Sequence, residues 1–432
     1  MPWLLPLVGP VARLLVHAYY RVTVAGTPVP AHQPLLLVAN HPNEVFDPLL
    51  VAAAAGRPVR FLAKAPLFGV PVVGAVLRAA GCLPVYRRSD DPALTAKNED
   101  TFEAVTAALA DGAAIAIFPE GTSHDAPALA PFRTGAARIA LGAAAAGIPL
   151  AIVPVGLVLA DRDRARSEAL AVLGSPIQWD DLRASTPASG EAVRELTART
   201  LAALSAVTLN LDAWADEPLV TTAEAIYAAT HEVSPDPAER VRRLWVATQW
   251  LRTLRQSGDR RYEPIAREVK AHGRKLARIG LNPGDLNQPT DLGTALRWSG
   301  RRLPLLLAGA MAIPGLLLVT GPMILADLAT RGHGTDQAGR ASRHLYFGSV
   351  VVLVWWAALA LLAGLALGPT VGLVALLVLP IAGFLGLAVQ HAWALRLHQA
   401  RRWLFLHFGG GWRRQLQDEQ AALGVKLGEL IA

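Results

Sequence analysis

The chain reads as an α/β domain with a mostly parallel sheet flanked by helices, followed by a helical connector and C-terminal transmembrane helices. Three observations predict this. Residues 1–215 alternate short apolar runs with helical patterns, the signature of strands joined by crossover helices. Residues 216–300 are helical, amphipathic and rich in arginine. Beyond them Leu303–Ala326 and Leu345–Val389 carry no charged residue at all, which is longer than a buried helix of a water-soluble domain usually runs.

In the first region the apolar runs place strands at 22–25, 35–39, 59–63, 82–86, 114–118, 151–157 and 169–173. Periodicity places helices at 48–55, 68–80, 98–110, 134–146 and 190–209. The first twenty-one residues, "MPWLLPLVGPVARLLVHAYYR", are apolar but hold Pro2, Pro6 and Pro10 and lack a charged leader or a small-residue cleavage site. They suit an interfacial amphipathic helix with Trp3, Tyr19 and Tyr20 at headgroup depth, and equally a helix packed on the domain core. Residues 216–300 are expected as a basic connector close to a membrane surface.

The composition is 53% hydrophobic and only 17% charged over 432 residues. The excess apolarity is local: 301–390 forms a membrane region with segments at 303–326, 346–367 and 371–389. Gly368-Pro369-Thr370 divides the last two at a turn. Arginines flank both ends of that pair, so the positive-inside rule makes it a hairpin with cytoplasmic ends. Residues 391–432 then form a basic cytoplasmic tail. Pro314-Gly315 and Gly321-Pro322 favour a re-entrant path for 303–326 over a crossing. The expected protein is therefore integral to a membrane, with its catalytic domain on the cytoplasmic face. A net charge of +7 makes anionic membrane lipids the first partner to consider. No helix-turn-helix, zinc-finger or RNA-binding pattern points to nucleic acid. Cys82 is the only cysteine, which excludes an internal disulfide and a cysteine-based zinc site.

Three clusters carry chemistry. "LLLVANHPNEVFDPLLVA", residues 35–52, ends a strand in Asn40 and His41 and sets Asp47 six positions on. On a continuous helix the two side chains would face apart, so they meet only across a turn, for which Pro42 and Asn43 are suited. Pro48 biases Asp47 away from helical geometry and starts the next helix. The pair fits a general base held by a carboxylate; Asp47 as a helix cap beside an unremarkable loop histidine fits as well. The second cluster is "FPEGTSHDAPALAPFRTGAARIAL", where Glu120, Gly121, Thr122 and Ser123 follow a strand, and Arg133 and Arg138 flank the start of a helix. Backbone N–H groups at Gly121, the two hydroxyls and a helix N-terminus all favour an oxygen-rich anion. A plain strand-to-helix turn accounts for the same residues. The third is "GCLPVYRR", a strand ending in arginines, where Arg87 has the fork that grips phosphate.

Taken in order, the three clusters resemble the glycerolipid acyltransferase family, which contains lysophosphatidate and glycerol-3-phosphate acyltransferases. The resemblance covers about residues 30–180, including "AIVPVGL" at 151–157. It departs from the family's usual first and third motifs, N-H-x4-D and F-P-E-G-T-R, by one added residue between His41 and Asp47 and by Ser123-His124. Both departures are similar to the fungal glycerol-3-phosphate and dihydroxyacetone-phosphate acyltransferase branch, as is "VTLNLDAWADEPL" at 207–219. The resemblance implies His41 as general base with Asp47 as its partner. It implies an acceptor site formed by Glu120, Gly121, Thr122 and Ser123, with Arg87 on the acceptor phosphate. Arg133, with Arg166 in reserve, stands in for the missing motif arginine. It further implies a fatty acyl group moving from acyl-CoA or acyl-carrier protein to a glycerol-phosphate acceptor, with no metal and no cofactor beyond that co-substrate. A lysophosphatidate or other lysophospholipid acceptor is the nearest alternative. A metal-dependent hydrolase built on His41, Asp47, Glu120, His124 and Asp125, and a non-catalytic lipid-binding membrane protein, are the more distant ones.

Overall fold

The computed structural model describes residues 2–87, 92–162, 167–231, 233–293 and 337–431, together with scattered positions between 318 and 328. The chain divides into two compact units: residues 1–214 with 234–248 and 337–339, and residues 215–233, 249–336 and 340–432.

The first unit is built on a seven-stranded sheet. Its strands are β1 (Arg21–Gly26), β2 (Leu35–Ala39), β3 (Val59–Lys64), β4 (Leu83–Val85), β5 (Ala114–Ile117), β6 (Ala151–Leu159) and β7 (Glu168–Leu173). They lie in the order β1-β7-β6-β2-β5-β3-β4, with every pairing parallel except β6 with β7. A strand covered on both faces must be apolar at every position rather than at alternate ones. "LLLVA" in β2 meets that demand, and all five residues are buried. The expected mostly parallel sheet is therefore present, with all seven strands within two residues of their expected limits.

Helices α1 (Leu5–Tyr19), α2 (Phe46–Ala54), α3 (Val73–Ala79), α4 (Asn98–Ala110), α5 (Gly135–Ala145) and α6 (Gly190–Ser205) complete this unit. The core on one face of the sheet joins Leu36 and Val38 of β2 to Leu109, Ile139, Leu141 and Leu196 of α4, α5 and α6. Packing at Gly156 in β6 is so close that a Cβ there would stand 1.8 Å from the carbonyl oxygen of Val207.

Three expectations are corrected. The single helix at 68–80 is broken: a 3-10 turn over Ala65–Gly69 precedes α3, because Pro71 and the backbone turn at Val72 interrupt the chain. Tyr20 lies buried in the domain rather than at headgroup depth, and Tyr19 stacks on Phe46. Asp47 sits inside the first turn of α2 even though Pro48 follows it.

The second unit holds α7 (Glu217–Thr230), α9 (Tyr262–Arg278), α10 (Gln337–Leu367), α11 (Pro369–Phe408) and α12 (Gly410–Ile431); α8 (Pro237–Ser257) runs between the residues of both units. The buried stripe of α9, Ala266, Val269, His272 and Leu276, faces protein, and Lys275 pairs with Glu419 of α12 at 2.8 Å. A Cβ at Gly424 would meet Thr230, so α12 and α7 touch through a glycine. Residues expected as connector and as tail thus share one helical layer.

Among the described residues one helix segment, Val350–Leu367, is long and apolar enough to cross a membrane. Gly368, at a φ of 104°, turns the chain from α10 into α11, and Gly364 and Gly372 face each other across the turn so closely that a Cβ on Gly372 would stand 2.9 Å from the Gly364 Cα. The expected segment 371–389 forms part of the long α11, and 303–326 lies almost wholly outside the described residues.

Candidate active site

In parallel sheets ligands gather beyond the carboxyl ends of strands, and adjacent β2 and β5 deliver His41 and Glu120 there. Asn40 fixes the exit of β2. Its amide donates to the Leu157 carbonyl at 2.9 Å and its oxygen accepts the Leu157 N–H at 2.7 Å, so a side chain continues the ladder to β6 after the backbone has left it. His41 therefore leaves the sheet from a held position.

The chain then turns through Pro42 to Val45, and α2 brings Asp47 back to His41. Asp47 Oδ2 lies 2.8 Å from His41 Nδ1 and accepts the Asn43 N–H at 2.6 Å. Glu44 carries a φ of 28°, unusual for a residue with a side chain, and this left-handed step lets the longer loop close on itself. Asp47 is 0% exposed and His41 12%. With a carboxylate facing Nδ1, the imidazole proton sits on Nδ1 and Nε2 is the acceptor. Nε2 has no hydrogen-bond partner among the described residues. The ring stacks on Phe118 with centroids 4.2 Å apart, which fixes its plane.

Burial pushes the Asp47 carboxyl above its ordinary value of 3.8; the hydrogen bond and charge of His41, the Asn43 N–H and the charge of Arg162 oppose that rise. An ionised Asp47 is therefore expensive here unless the histidine beside it is positive.

Glu120 is held more tightly still. Oε1 accepts the His41 backbone N–H at 2.8 Å; Oε2 accepts the Ala130 N–H at 2.7 Å and a second bond from His124 Nε2. The Ala126 N–H donates to His124 Nδ1 at 3.1 Å, which assigns the His124 proton to Nε2. The Glu120 side chain is 1% exposed. Its carboxylate is thus occupied by the protein on both oxygens.

Gly121 adopts a φ of 77° and leaves room for the Arg133 side chain, whose Cγ would be 3.4 Å from an added Cβ. The Arg133 N–H donates to the Pro119 carbonyl at 2.7 Å, and its exposed guanidinium has no ionic partner among the described residues. Thr122 is exposed and Ser123 half-buried on the same loop. His41, Asp47, Glu120, Gly121 and Arg133 are therefore assembled together. Arg87 follows β4 and is half-buried, while Arg88 and Arg166 lie outside the described residues.

Several residues at this site escaped sequence reasoning. Arg162 Nη1 donates to the Pro42 carbonyl at 3.3 Å, to the His124 carbonyl at 3.1 Å and to Asp125 Oδ1 at 3.2 Å, lacing the two loops together. Its guanidinium also lies over Trp214, which itself donates to the Asp125 carbonyl at 2.7 Å. The Tyr20 hydroxyl donates to the Arg162 carbonyl and accepts from the Asn43 amide. These contacts span 23 to 142 positions, so no local pattern in the sequence signals them. Burial raises the Cys82 thiol, which disfavours its thiolate. Among the described residues no three His, Cys, Asp or Glu side chains converge as metal ligands.

Fold and site together define a domain in which a carboxylate-held histidine stands at the mouth of a parallel sheet. Residues 21–158 match the family model described as Acyltransferase, and this part of the chain is similar to glycerolipid acyltransferases. The chain is 31% identical over 199 residues to glycerol-3-phosphate O-acyltransferase 2 of Saccharomyces cerevisiae, covering 44% of this chain and 26% of that protein. It is 25% identical over 150 residues to a chloroplastic 1-acyl-sn-glycerol-3-phosphate acyltransferase of Arabidopsis thaliana, covering 34% and 40%. A crystal structure of the 1-acyl-sn-glycerophosphate acyltransferase from Thermotoga maritima aligns at 18% identity and a TM-score of 0.33, over 46% of this chain and 75% of that one. The match thus spans about a quarter to two fifths of the length of these two curated relatives.

Proposed function

We propose that this chain is a membrane-bound O-acyltransferase that moves a fatty acyl group from acyl-CoA or acyl-carrier protein to a hydroxyl of glycerol-3-phosphate or dihydroxyacetone phosphate. The observation that carries the reading is the His41–Asp47 pair, with Nδ1 held at 2.8 Å by a fully buried carboxylate and Nε2 left to accept a proton. The yeast relative, a glycerol-3-phosphate O-acyltransferase by name, supports the acceptor. The Arabidopsis relative acts by name on a 1-acyl-glycerol-3-phosphate and favours that acceptor as the second reading.

In this mechanism His41 Nε2 takes the proton of the acceptor hydroxyl as its oxygen attacks the thioester carbonyl. The tetrahedral oxyanion collapses and expels the thiolate, which recovers the proton from the imidazolium. Asp47 keeps the ring in the tautomer needed and stabilises its positive form. The same charge offsets the cost of the buried carboxylate, so the pair is best matched when the reaction is under way. Arg87 and Arg133 would bind the acceptor phosphate, with Thr122 and Ser123 as hydroxyl donors. Val350–Leu367 and the hairpin at Gly368 would hold the enzyme in the bilayer where the lipid product resides, with arginine-rich ends on the cytoplasmic side.

The test is purified full-length protein given a labelled acyl thioester and, separately, glycerol-3-phosphate, dihydroxyacetone phosphate and lysophosphatidate. His41→Ala is expected to lower the rate by about 10²–10⁴. Undiminished transfer by that variant would remove the catalytic assignment, and a preference for lysophosphatidate would replace the first acceptor by the second.

A further inference from the structure

We infer that the first unit docks on an anionic lipid surface through a second apolar region, the segment Leu67–Val76 together with the outer face of α1. The inference rests on the membrane-held reading above, and it names the part of the catalytic domain that touches lipid.

The segment has an unusual construction. Val72 adopts a φ of 65° and ψ of −56°, and the Val73 N–H closes a three-residue γ-turn on the Pro71 carbonyl at 2.7 Å. That turn is the rarer hand and is strained for a β-branched residue. Yet Val72 is 76% exposed. Strain of this kind persists only where surrounding structure enforces it. Here Gly74 lies so close to the Phe68 carbonyl that a Cβ would stand 2.2 Å from it, and Arg78 donates to the same oxygen at 2.8 Å. The fold therefore spends a backbone distortion to hold a valine out in solvent. Leu67, Val70, Val73 and Val76 are exposed around it.

Helix α1 adds to this surface. It has two apolar faces: Ala12 and Val16 are buried in the domain core, whereas Trp3 just before the helix (72% exposed) and Leu7, Val11 and Leu14 along it recur at helical spacing on the other face. The two segments meet where the Leu4 N–H donates to the Ala79 carbonyl at 3.0 Å and Pro2 packs at Gly81. Isolated exposed apolar side chains are ordinary, but a run of nine on two joined segments is an interaction surface.

Charge selects the occupant. From Met1 to Ser89 the only carboxylates are Glu44 and the buried Asp47, while Arg13, Arg60, Lys64 and Arg78 lie on these same segments or on the adjoining strand. An apolar centre on segments that carry basic and no acidic side chains of their own complements a bilayer carrying anionic headgroups.

The experiment uses the full chain with Cys82→Ser and one environment-sensitive fluorophore at a time, on Val72→Cys, Leu7→Cys, Leu361→Cys or Glu191→Cys, in vesicles of zwitterionic and anionic lipid. Spin-labelled lipids with shallow or deep labels serve as quenchers, and iodide as the aqueous one. Positions 72 and 7 are expected to be blue-shifted and quenched several-fold more by shallow-labelled lipid than position 191, more so as the anionic fraction rises. Position 361 on α10 is expected to respond to the deep label. If 361 does so while 72 behaves like 191, the docking inference falls and the membrane-held reading stands. If 361 also remains aqueous, both fall. Protection of 72 from lipid and iodide alike, with a 72-to-72 crosslink, would assign the surface to a second copy and overturn the inference. Where Val72→Cys does not fold, Trp3→Cys gives the same reading.

Discussion

Glu120→Gln separates two roles for one carboxylate. The family resemblance puts Glu120 in the acceptor site, whereas in the structure its two oxygens accept three bonds from the protein: one from the His41 N–H on Oε1, and two from the Ala130 N–H and His124 on Oε2. Glutamine keeps the shape but has one acceptor oxygen. Placing that oxygen toward Ala130 and His124 strands one donor, and the opposite placement strands two. The first therefore prevails, and the amide nitrogen of the variant faces the His41 N–H. Losing a charge-assisted acceptor for a buried donor costs about 1.5–3 kcal/mol. The stranded group is the backbone of the proposed base, so the cost falls on its position in the transition state. At 1.36 kcal/mol per decade that is roughly a tenfold to 150-fold fall in kcat. With only 1% of the side chain exposed, the KM for the acceptor should stay unchanged. Steady-state rates with acceptor varied at saturating acyl thioester read both quantities. A raised acceptor KM with kcat intact would show the carboxylate touching substrate and would refute the positioning role.

Asp47→Asn should abolish most activity yet not destabilise the fold at neutral pH. Because burial raises the carboxyl above 3.8, the folded state favours its neutral form, and wild-type stability declines as pH climbs past that value. The melting temperature of the variant relative to wild type should therefore rise as pH climbs above 3.8; a flat or falling difference contradicts the assignment. Glu44→Gly should retain activity and shift stability by no more than about 1 kcal/mol, whereas Glu44→Val, forced to the same left-handed turn, should lose about 1–3 kcal/mol in chemical denaturation. Gly156→Ala must displace Val207 and the segment whose Asn210 and Leu211 hold Leu129 and Pro127 of the Glu120 loop. A loss of about 1–3 kcal/mol with a parallel fall in kcat is expected, and a fully active, fully stable variant would show that segment to be slack.

The strands were legible because burial on both faces leaves a continuous apolar run, as in "LLLVA", and polar turns bracket each one. The His41–Asp47 pairing was legible in part: the turn between them was readable from Pro42 and Asn43, but the placement of Asp47 inside α2 was not, since the bias exerted by Pro48 is local and the pull of His41 and Asn43 is tertiary. The helix expected over 68–80 failed for the opposite reason. Periodicity ran through Pro71 uninterrupted, whereas the break there comes from Pro71 with the turn at Val72, held by the close approach of Gly74 to Phe68. Arg162 and Tyr20 could not have been found, because their partners are brought near only when the sheet closes.

Tyr20 carries one more consequence. Its ring is buried against Phe46 in the first turn of α2, and its hydroxyl meets the amide of Asn43, whose own N–H grips Asp47. The opening helix and the acid that steers the histidine are thus parts of one mechanical assembly. Trimming the first twenty residues to improve expression would discard Tyr20 and slacken the catalytic loop it braces, while leaving His41 and Asp47 in the chain. Shortened variants should be judged by turnover, since yield alone would favour the crippled form.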